Sequence, residues 1–177
     1  MRKKTKTYIK VCYGISSQAD NSHGHIFMMD FDGISLKHVK EYLLHVQKQI
    51  NLSDIYIIKS TNGYNAISLD VLSISMIYNT GMDIQSPADK KFFVYGFERG
   101  YYTLRFGDDK KLVHILKRSN DKEKSLAHKL FLEWFFDIDI NTNNLNSYRN
   151  IKIIQYRSEK HGFHKMETRQ TIYNRCL

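Results

Sequence analysis

The feature that most constrains the fold is an apolar run that ends in two aspartates and a glycine. Residues 26–29 are all apolar, and they are followed by Asp30, Phe31, Asp32 and Gly33. Such a run predicts a buried β-strand over residues 25–31. Alternate residues of a strand share a face, so Asp30 and Asp32 would place two carboxylates side by side at its end. This arrangement suits Mg²⁺ or Mn²⁺, although a solvated turn also favours Asp and Gly.

The composition indicates one compact domain with an anionic partner. The chain has 177 residues, of which 42% are hydrophobic and 13% aromatic, enough for one core. We expect a single domain over residues 1–157 and a basic, loosely ordered tail over 158–177. The formal net charge of +9 favours nucleic acid or a nucleotide as the partner, although a basic surface also serves solubility alone.

The cysteines and the N-terminal segment favour a cytoplasmic, intracellular protein. Cys12 and Cys176 match neither a zinc-binding spacing nor a disulfide framework, which fits a reducing compartment. The segment Tyr8–Ile15 contains Lys10 and Gly14 and is too short and too polar for a signal sequence or a membrane span. We therefore expect no structural zinc and no membrane partner.

The pattern along the chain predicts a mixture of strands and helices. Apolar residues recur at helical spacing after Ser35 as far as Ile50, which predicts a helix capped by Ser35. Asn62 and Gly63 mark a turn between two strand-like segments, which predicts a hairpin. The remaining predicted elements are strands over 8–15, 101–106, 112–116 and 151–156, and helices over 70–80, from Pro87, and over 125–136. Residues 101–116 are predicted to form a second hairpin that turns at 107–110.

The order of these elements favours an α+β domain with a largely antiparallel sheet covered by helices. Hairpins outnumber strand–helix–strand alternations, which disfavours a doubly wound parallel sheet. Three segments of this domain combine glycine with charged, hydroxyl or amide groups at strand ends: 30–32, 59–65 and 104–110. If they meet in one cleft, they would supply carboxylates for a metal, donors for phosphate oxygens and cations for developing negative charge.

Residues 25–116 of the sequence resemble the catalytic domain of the archaeo-eukaryotic primase superfamily, which includes primase-polymerases. In that family an apolar strand ends in Asp-x-Asp, as at Asp30 and Asp32. After one helix comes a Ser-Gly-x-Gly-x-His motif, which Ser60 and Gly63 match. A later strand carries a basic residue, as at Arg105. The resemblance implies an RRM-like core and a metal-dependent nucleotidyltransferase that copies a single-stranded template.

The resemblance also implies a role for each matched residue. Asp30, Asp32 and Asp108 would be catalytic, and these three with Asp109 would hold Mg²⁺ or Mn²⁺. Ser60, Asn62, Asn65, Arg105 and Lys110 would bind the nucleoside triphosphate. Thr61 stands where the family has its first glycine, and Asn65 stands where it has a histidine. The template would be single-stranded DNA or RNA, in the replication of DNA of a plasmid or virus, with a helicase or another replication protein as a possible partner.

Three alternatives stay open at this point. A primase-like domain that has lost catalysis would bind nucleic acid without copying it. Phosphatases of the haloacid dehalogenase superfamily share Asp-x-Asp-Gly, Thr-Asn-Gly and a later acidic pair, with Asp30 as the nucleophile, although Ile34 departs from their first motif and strands stand where helices are needed. Rolling-circle endonucleases use paired histidines, as at His23 and His25, and a tyrosine on the next helix, as at Tyr42.

Overall fold

The computed structural model describes residues 13–19, 24–106 and 110–140, and further along the chain the backbone of three two-residue strands. The strands are β1 (Tyr13–Ser16), β2 (His25–Asp32), β3 (Ile55–Lys59), β4 (Gly63–Leu72), β5 (Thr103–Phe106), β6 (Lys111–Leu116), β7 (Lys124–Ser125), β8 (Leu145–Asn146), β9 (Arg157–Ser158) and β10 (Phe163–His164). The helices are α1 (Leu36–Gln49), α2 (Ile74–Met82), α3 (Lys90–Arg99) and α4 (Leu126–Phe136).

The central sheet is antiparallel. β4 lies between β2 and β3, and β3 also pairs with β6, which gives the order β6-β3-β4-β2. β4 also pairs with β7, and β7 pairs in parallel with β8. β1 and β5 form a separate antiparallel ribbon, and β9 and β10 form another. The predicted α+β class with a largely antiparallel sheet is therefore confirmed.

Helix α1 forms where the sequence predicts it and covers one face of the sheet. The Ser35 hydroxyl accepts a hydrogen bond from the backbone N–H of His38, which caps the first turn. Val39, Leu43 and Val46 are buried, as their helical spacing requires. On the same helix, the Tyr42 ring packs edge-on against Phe31 of β2, with the ring centroids 6.3 Å apart.

The β1–β5 ribbon and helix α4 pack together. Phe106 of β5 contacts three rings of α4, those of Phe131, Phe135 and Phe136. The imidazole of His128 is buried, and its Nε2 bonds the carbonyl oxygen of Ser16, 2.6 Å away. Burial lowers the pKa of His128 to about 4, so this side chain is neutral at physiological pH.

The predicted second hairpin over residues 101–116 is wrong. Its two segments do form strands, but β5 pairs with β1 and β6 pairs with β3. Two further hydrogen bonds extend the β1–β5 pairing. The Ser17 N–H donates to the Tyr102 carbonyl oxygen, and the Ser17 hydroxyl accepts from the Tyr102 N–H. These contacts between distant segments override the local turn signal at residues 107–110.

Two predicted helix starts also need correction. Asp70, placed at the start of a helix, lies in β4, which continues to Leu72, and α2 begins at Ile74 with Ser73 as its cap. The helix expected from Pro87 begins at Lys90, and Asp89 is its cap. The predicted strand 151–156 and the start of the strand 8–15 lie outside the described residues, and the domain boundary at residue 157 stays a prediction.

Among the helices of the described ranges, none is long and apolar enough to cross a membrane.

Candidate functional site

Three polar side chains form a hydrogen-bonded chain near the end of the central sheet. Asp30 of β2 lies directly opposite Asn65 of β4. The Asn65 amide nitrogen donates to Oδ1 of Asp30 at 2.6 Å, and the Asn65 amide oxygen accepts from Nζ of Lys110 at 2.6 Å. The amide is oriented so that its donor faces the anion and its acceptor faces the cation, as its chemistry requires.

The β3–β4 turn closes against the end of β2 beside this chain. Gly63 lies opposite Asp32, and a Cβ at residue 63 would lie 1.8 Å from the Phe31 carbonyl oxygen, so only glycine allows the two strands to approach this closely. The Gly33 N–H donates to the Asn62 carbonyl oxygen at 3.0 Å. Ser60 Oγ accepts from the Gly63 N–H at 3.2 Å. The turn is therefore fixed beside the two aspartates.

The electrostatics of the site centre on Asp30. Burial raises the pKa of Asp30 to about 6, and the negative charges of Asp32 and Asp89 contribute to the rise. The positive charge of Lys110 acts in the opposite direction. Asp32, by contrast, is exposed to solvent. Asp30, Asp32 and Asp89 therefore place three carboxylates near one another, with Lys110 as the cation that opposes the rise of the Asp30 pKa, an arrangement that suits a bound cation.

Sequence reasoning missed the part of the site that α3 supplies. The backbone N–H of Asp89, the cap of α3, donates to the carbonyl oxygen of Asp30 at 2.8 Å, which holds the start of α3 against β2 on the side away from β4. An open cleft of about 510 Å³ lies between them, lined by Asp30, Asp89, Lys91, Phe92, Tyr95, Glu98 and Arg99. An aspartate immediately before a helix is a common cap, so Asp89 could have been found from that signal.

The predicted site residues fall into three groups. Asp30, Asp32, Ser60, Asn62, Asn65 and Lys110 lie together at this end of the sheet. Arg105 is an exposed residue of β5, paired with Gly14, and among the described residues no hydrogen bond or ion pair links it to the others. Asp108 and Asp109 lie outside the described residues.

Asp30 and Asp32 could supply two of the ligands of a divalent cation. Carboxylate oxygens are the donors that Mg²⁺ and Mn²⁺ prefer, and the pKa of Asp30 is raised chiefly by burial and then by the neighbouring charge of Asp32. Within residues 13–19, 24–106 and 110–140, no three His, Cys, Asp or Glu side chains are grouped to hold a metal ion. The third protein ligand that the resemblance implies, Asp108 or Asp109, belongs to the segment that is not described.

Comparisons with known proteins add no family to this geometry. No family model, no curated protein and no solved structure matches the chain.

Proposed function

We propose that this chain is a metal-dependent nucleotidyltransferase, similar to primase-polymerases, that extends a nucleic-acid strand on a single-stranded template. The observation that supports this proposal is the chain of contacts from Asp30 through Asn65 to Lys110. These contacts join one residue from each of the three polar segments, 30–32, 59–65 and 104–110, at one end of the sheet. The β2-α1-β3-β4 order with β4 between β2 and β3 is shared with the RRM-like core that the resemblance implies, whereas β6 departs from that core because it pairs with β3 and not with β2.

In the proposed reaction a 3′-hydroxyl oxygen forms a bond to the α-phosphorus of a nucleoside triphosphate. The bond from that phosphorus to the leaving pyrophosphate breaks, and the hydroxyl proton is released. Asp30 and Asp32, with Asp108 or Asp109, would hold Mg²⁺ or Mn²⁺, which when bound stabilises the negative charge of the reacting phosphate. Asn65 positions the Asp30 carboxylate, because its amide donates to Oδ1.

Cations and amides of the same region would hold the triphosphate. The Lys110 ammonium lies at the outer end of the hydrogen-bonded chain, where a phosphate oxygen could share its charge. Asn62 is exposed on the turn, and Ser60 lies beneath it. Asn65 cannot carry a positive charge as the family's histidine does, so Lys110 would be the nearer source of positive charge in this chain.

The test is nucleotide incorporation on a primed single-stranded DNA template, and on an unprimed one, with Mn²⁺ or Mg²⁺ and a labelled triphosphate. We expect product from the native chain and a loss of about 100-fold or more with Asp32→Asn, because the variant removes a charge that acts on the transition state. Asp32 is exposed, so the variant should melt at the same temperature as the native chain. Asp139→Asn is the matched control, since Asp139 is an exposed aspartate after α4 and belongs to none of the three segments that form the site.

A folded native chain that binds the template yet forms no product with either metal would contradict the catalytic proposal. Product of equal yield from Asp32→Asn would contradict the assigned site. The first of these results would favour a non-catalytic primase-like module that binds nucleic acid. One observation favours that second function: both ends of the Asn65 amide bond groups of the protein, so Asn65 has no amide group left to contact a triphosphate as the family's histidine does.

The other two alternatives fit the geometry less well. The phosphatase resemblance requires a parallel sheet, whereas β2 and β4 are antiparallel. For a rolling-circle endonuclease, His25 and Tyr42 would have to meet. Tyr42 packs on Phe31, which lies six residues and roughly 20 Å from His25 along β2. The Tyr42 hydroxyl also donates to the carbonyl oxygen of Thr80 at 3.0 Å, and His25 Nδ1 bonds Ser17 Oγ at 2.9 Å.

A further inference from the structure

The outward side of α3 carries an aromatic ring between two cations. Lys91, Tyr95 and Arg99 are spaced four residues apart, so they lie in a row along one side of the helix. All three line the cleft that also contains Asp30. The row extends over about 12 Å of helix, which is the length of three to four stacked nucleotides at 3.4 Å each.

The Tyr95 ring is available to a ligand, in contrast to the neighbouring aromatic residue of the cleft. Tyr95 is 58% exposed, and within the described residues its ring packs on no other aromatic ring. Phe92 instead stacks on Tyr102, with the centroids 5.3 Å apart, and forms a fixed floor. A large exposed ring beside a floor of buried rings is a suitable surface for a flat, apolar group.

The cation at the far end of the row is held in place. Nε of Arg99 donates to the backbone carbonyl oxygen of Tyr95 at 3.0 Å, and its guanidinium lies 5.6 Å from the centre of the Tyr101 ring. Its terminal N–H groups form no hydrogen bond within the described part of the chain. A guanidinium held in this way has less freedom to lose when it binds a phosphate.

We propose that this row on α3 binds the single-stranded template, with a base stacked on Tyr95 and the phosphates beside Lys91 and Arg99. The inference rests on the proposed function, because it states where the template enters the site. Aromatic stacking between cations is how proteins bind unpaired nucleotides, and a duplex hides the faces of its bases. The formal net charge of +9 supports the same partner. Three acids, Asp30, Asp89 and Glu98, also line the cleft and are expected to weaken binding of phosphates, and Glu98 is the one on the last turn of α3 beside Arg99.

The experiment is fluorescence anisotropy of a labelled oligothymidylate with the full chain, in EDTA and without nucleoside triphosphate. Tyr95→Ala should raise Kd about 5- to 100-fold, because stacking of one base is lost. Tyr95→Phe keeps the ring and should bind like the native chain. Lys91→Ala should weaken binding and reduce the salt slope by about 0.7, whereas Lys37→Ala on α1 should change neither, and Glu98→Gln should tighten binding.

Equal Kd values for Tyr95→Ala and the native chain would overturn the inference, and so would a duplex of the same length that binds as tightly as the single strand. Loss of the Tyr95 side chain should leave the fold intact, because its hydrogen bond to Arg99 uses the backbone carbonyl, and a melting curve checks this. The binding assay needs neither metal nor catalysis. A chain that binds through Tyr95 but incorporates no nucleotide would therefore refute the proposed function and leave this inference standing.

Discussion

The charged side chains beside the two ends of β4 differ in burial and in how they are paired. Near its start, the buried Asn65 connects Asp30 of β2 to Lys110, and the side chains of both these charged residues are partly exposed. Near its other end, roughly 15 Å along the strand, Asp70 is fully buried and lies 3.8 Å from the ammonium of Lys124.

The Asp70 carboxylate has three hydrogen bonds to one oxygen, whereas its Oδ1 has no hydrogen-bond partner among the described residues and lies 3.8 Å from the Lys124 ammonium. Oδ2 of Asp70 accepts from the Ser53 backbone N–H, from the Ser68 hydroxyl at 3.0 Å and from the Asn120 amide at 3.3 Å. The Lys124 ammonium donates to oxygens of Asn120 and Lys122. A charge enclosed this completely attaches residues 120–125 to the sheet and leaves no access for a ligand. The Asp30 carboxylate, by contrast, lines an open cleft, and Asn65 stands between it and Lys110.

The largest effect that the comparison predicts is on stability at the Asp70 end. Asp70→Asn should lower the free energy of unfolding by about 3–5 kcal/mol, because it leaves the Lys124 charge buried without its counterion. Urea denaturation measures this directly. If the single variant fails to fold, the double variant Asp70→Asn, Lys124→Met should recover part of the stability, since it removes the unpaired charge.

An exposed ion pair is the matched control for this prediction. Lys117→Ala breaks the pair with Asp54, in which the Lys117 side chain is 71% exposed, and it should cost less than about 1 kcal/mol. An equally small loss for Asp70→Asn would mean that the two ends of β4 do not differ in the way described.

The second prediction has the opposite sign. Asp30→Asn should stabilise the protein by about 1–2 kcal/mol near neutral pH, because the native fold forces a charged carboxylate into a half-buried, negatively charged site. The variant's carbonyl oxygen can still accept from Asn65. The pKa of Asp30 is about 6 in the fold and 3.8 as its ordinary value, so the native fold binds the proton more tightly than the unfolded chain.

The pH dependence follows from that sign. The penalty for ionising Asp30 is absent below about pH 4, builds up as the pH rises to 6 and is complete above it. The stability gain of Asp30→Asn over the native chain should show the same dependence in urea denaturation at several pH values. Asp139→Asn should show no such gain. A variant that is less stable than the native chain at neutral pH would contradict the electrostatic description of this end.

The smallest predicted effect concerns Lys110 alone. Lys110→Met should move the pKa of Asp30 further up, because the positive charge that lowers it is lost. A carboxyl ¹³C NMR titration measures this change. Lys111→Met, one residue further along the chain and exposed, is the control and should shift the pKa less. An unchanged Asp30 pKa in Lys110→Met would separate the lysine from the charge balance of the site.

Local sequence patterns predicted those elements whose partners lie nearby in the chain. Helix α1, with Ser35 as its cap, and the β3–β4 hairpin depend on neighbouring residues, and both are confirmed. The β5–β6 hairpin was wrong because strand pairing is decided by distant contacts such as Ser17 with Tyr102. Asp70 was taken for a helix start because the pattern could not show that a buried polar network would accommodate it inside a strand.

The candidate site was predictable to a similar extent. Asp30, Asp32 and the turn near Gly63 meet because β2 pairs with β4, a distant pairing that the sequence patterns did not predict, although the three polar segments were expected to act together if they met. The contact of Asn65 with both Asp30 and Lys110 depends on side-chain geometry that no spacing reveals. The cleft beside α3 was not predicted because Pro87 was taken as the helix start. Asp89 was therefore not recognised as the helix cap, and the residues after it were not considered for the site.

The hydrogen bond from Asp89 to Asp30 has a further consequence for solubility during folding. β2 is an edge strand with a continuous apolar stretch, Ile26–Met29, and such edges pair readily with other chains. Ser17 bonds the edge near His25, and Asp89 bonds it at Asp30. A chain in which α3 has not yet docked would leave the Asp30 end of this edge open. Asp30 would then act as a charged gatekeeper, and its neutralisation, while stabilising the finished fold, should make refolding at high concentration more prone to aggregation.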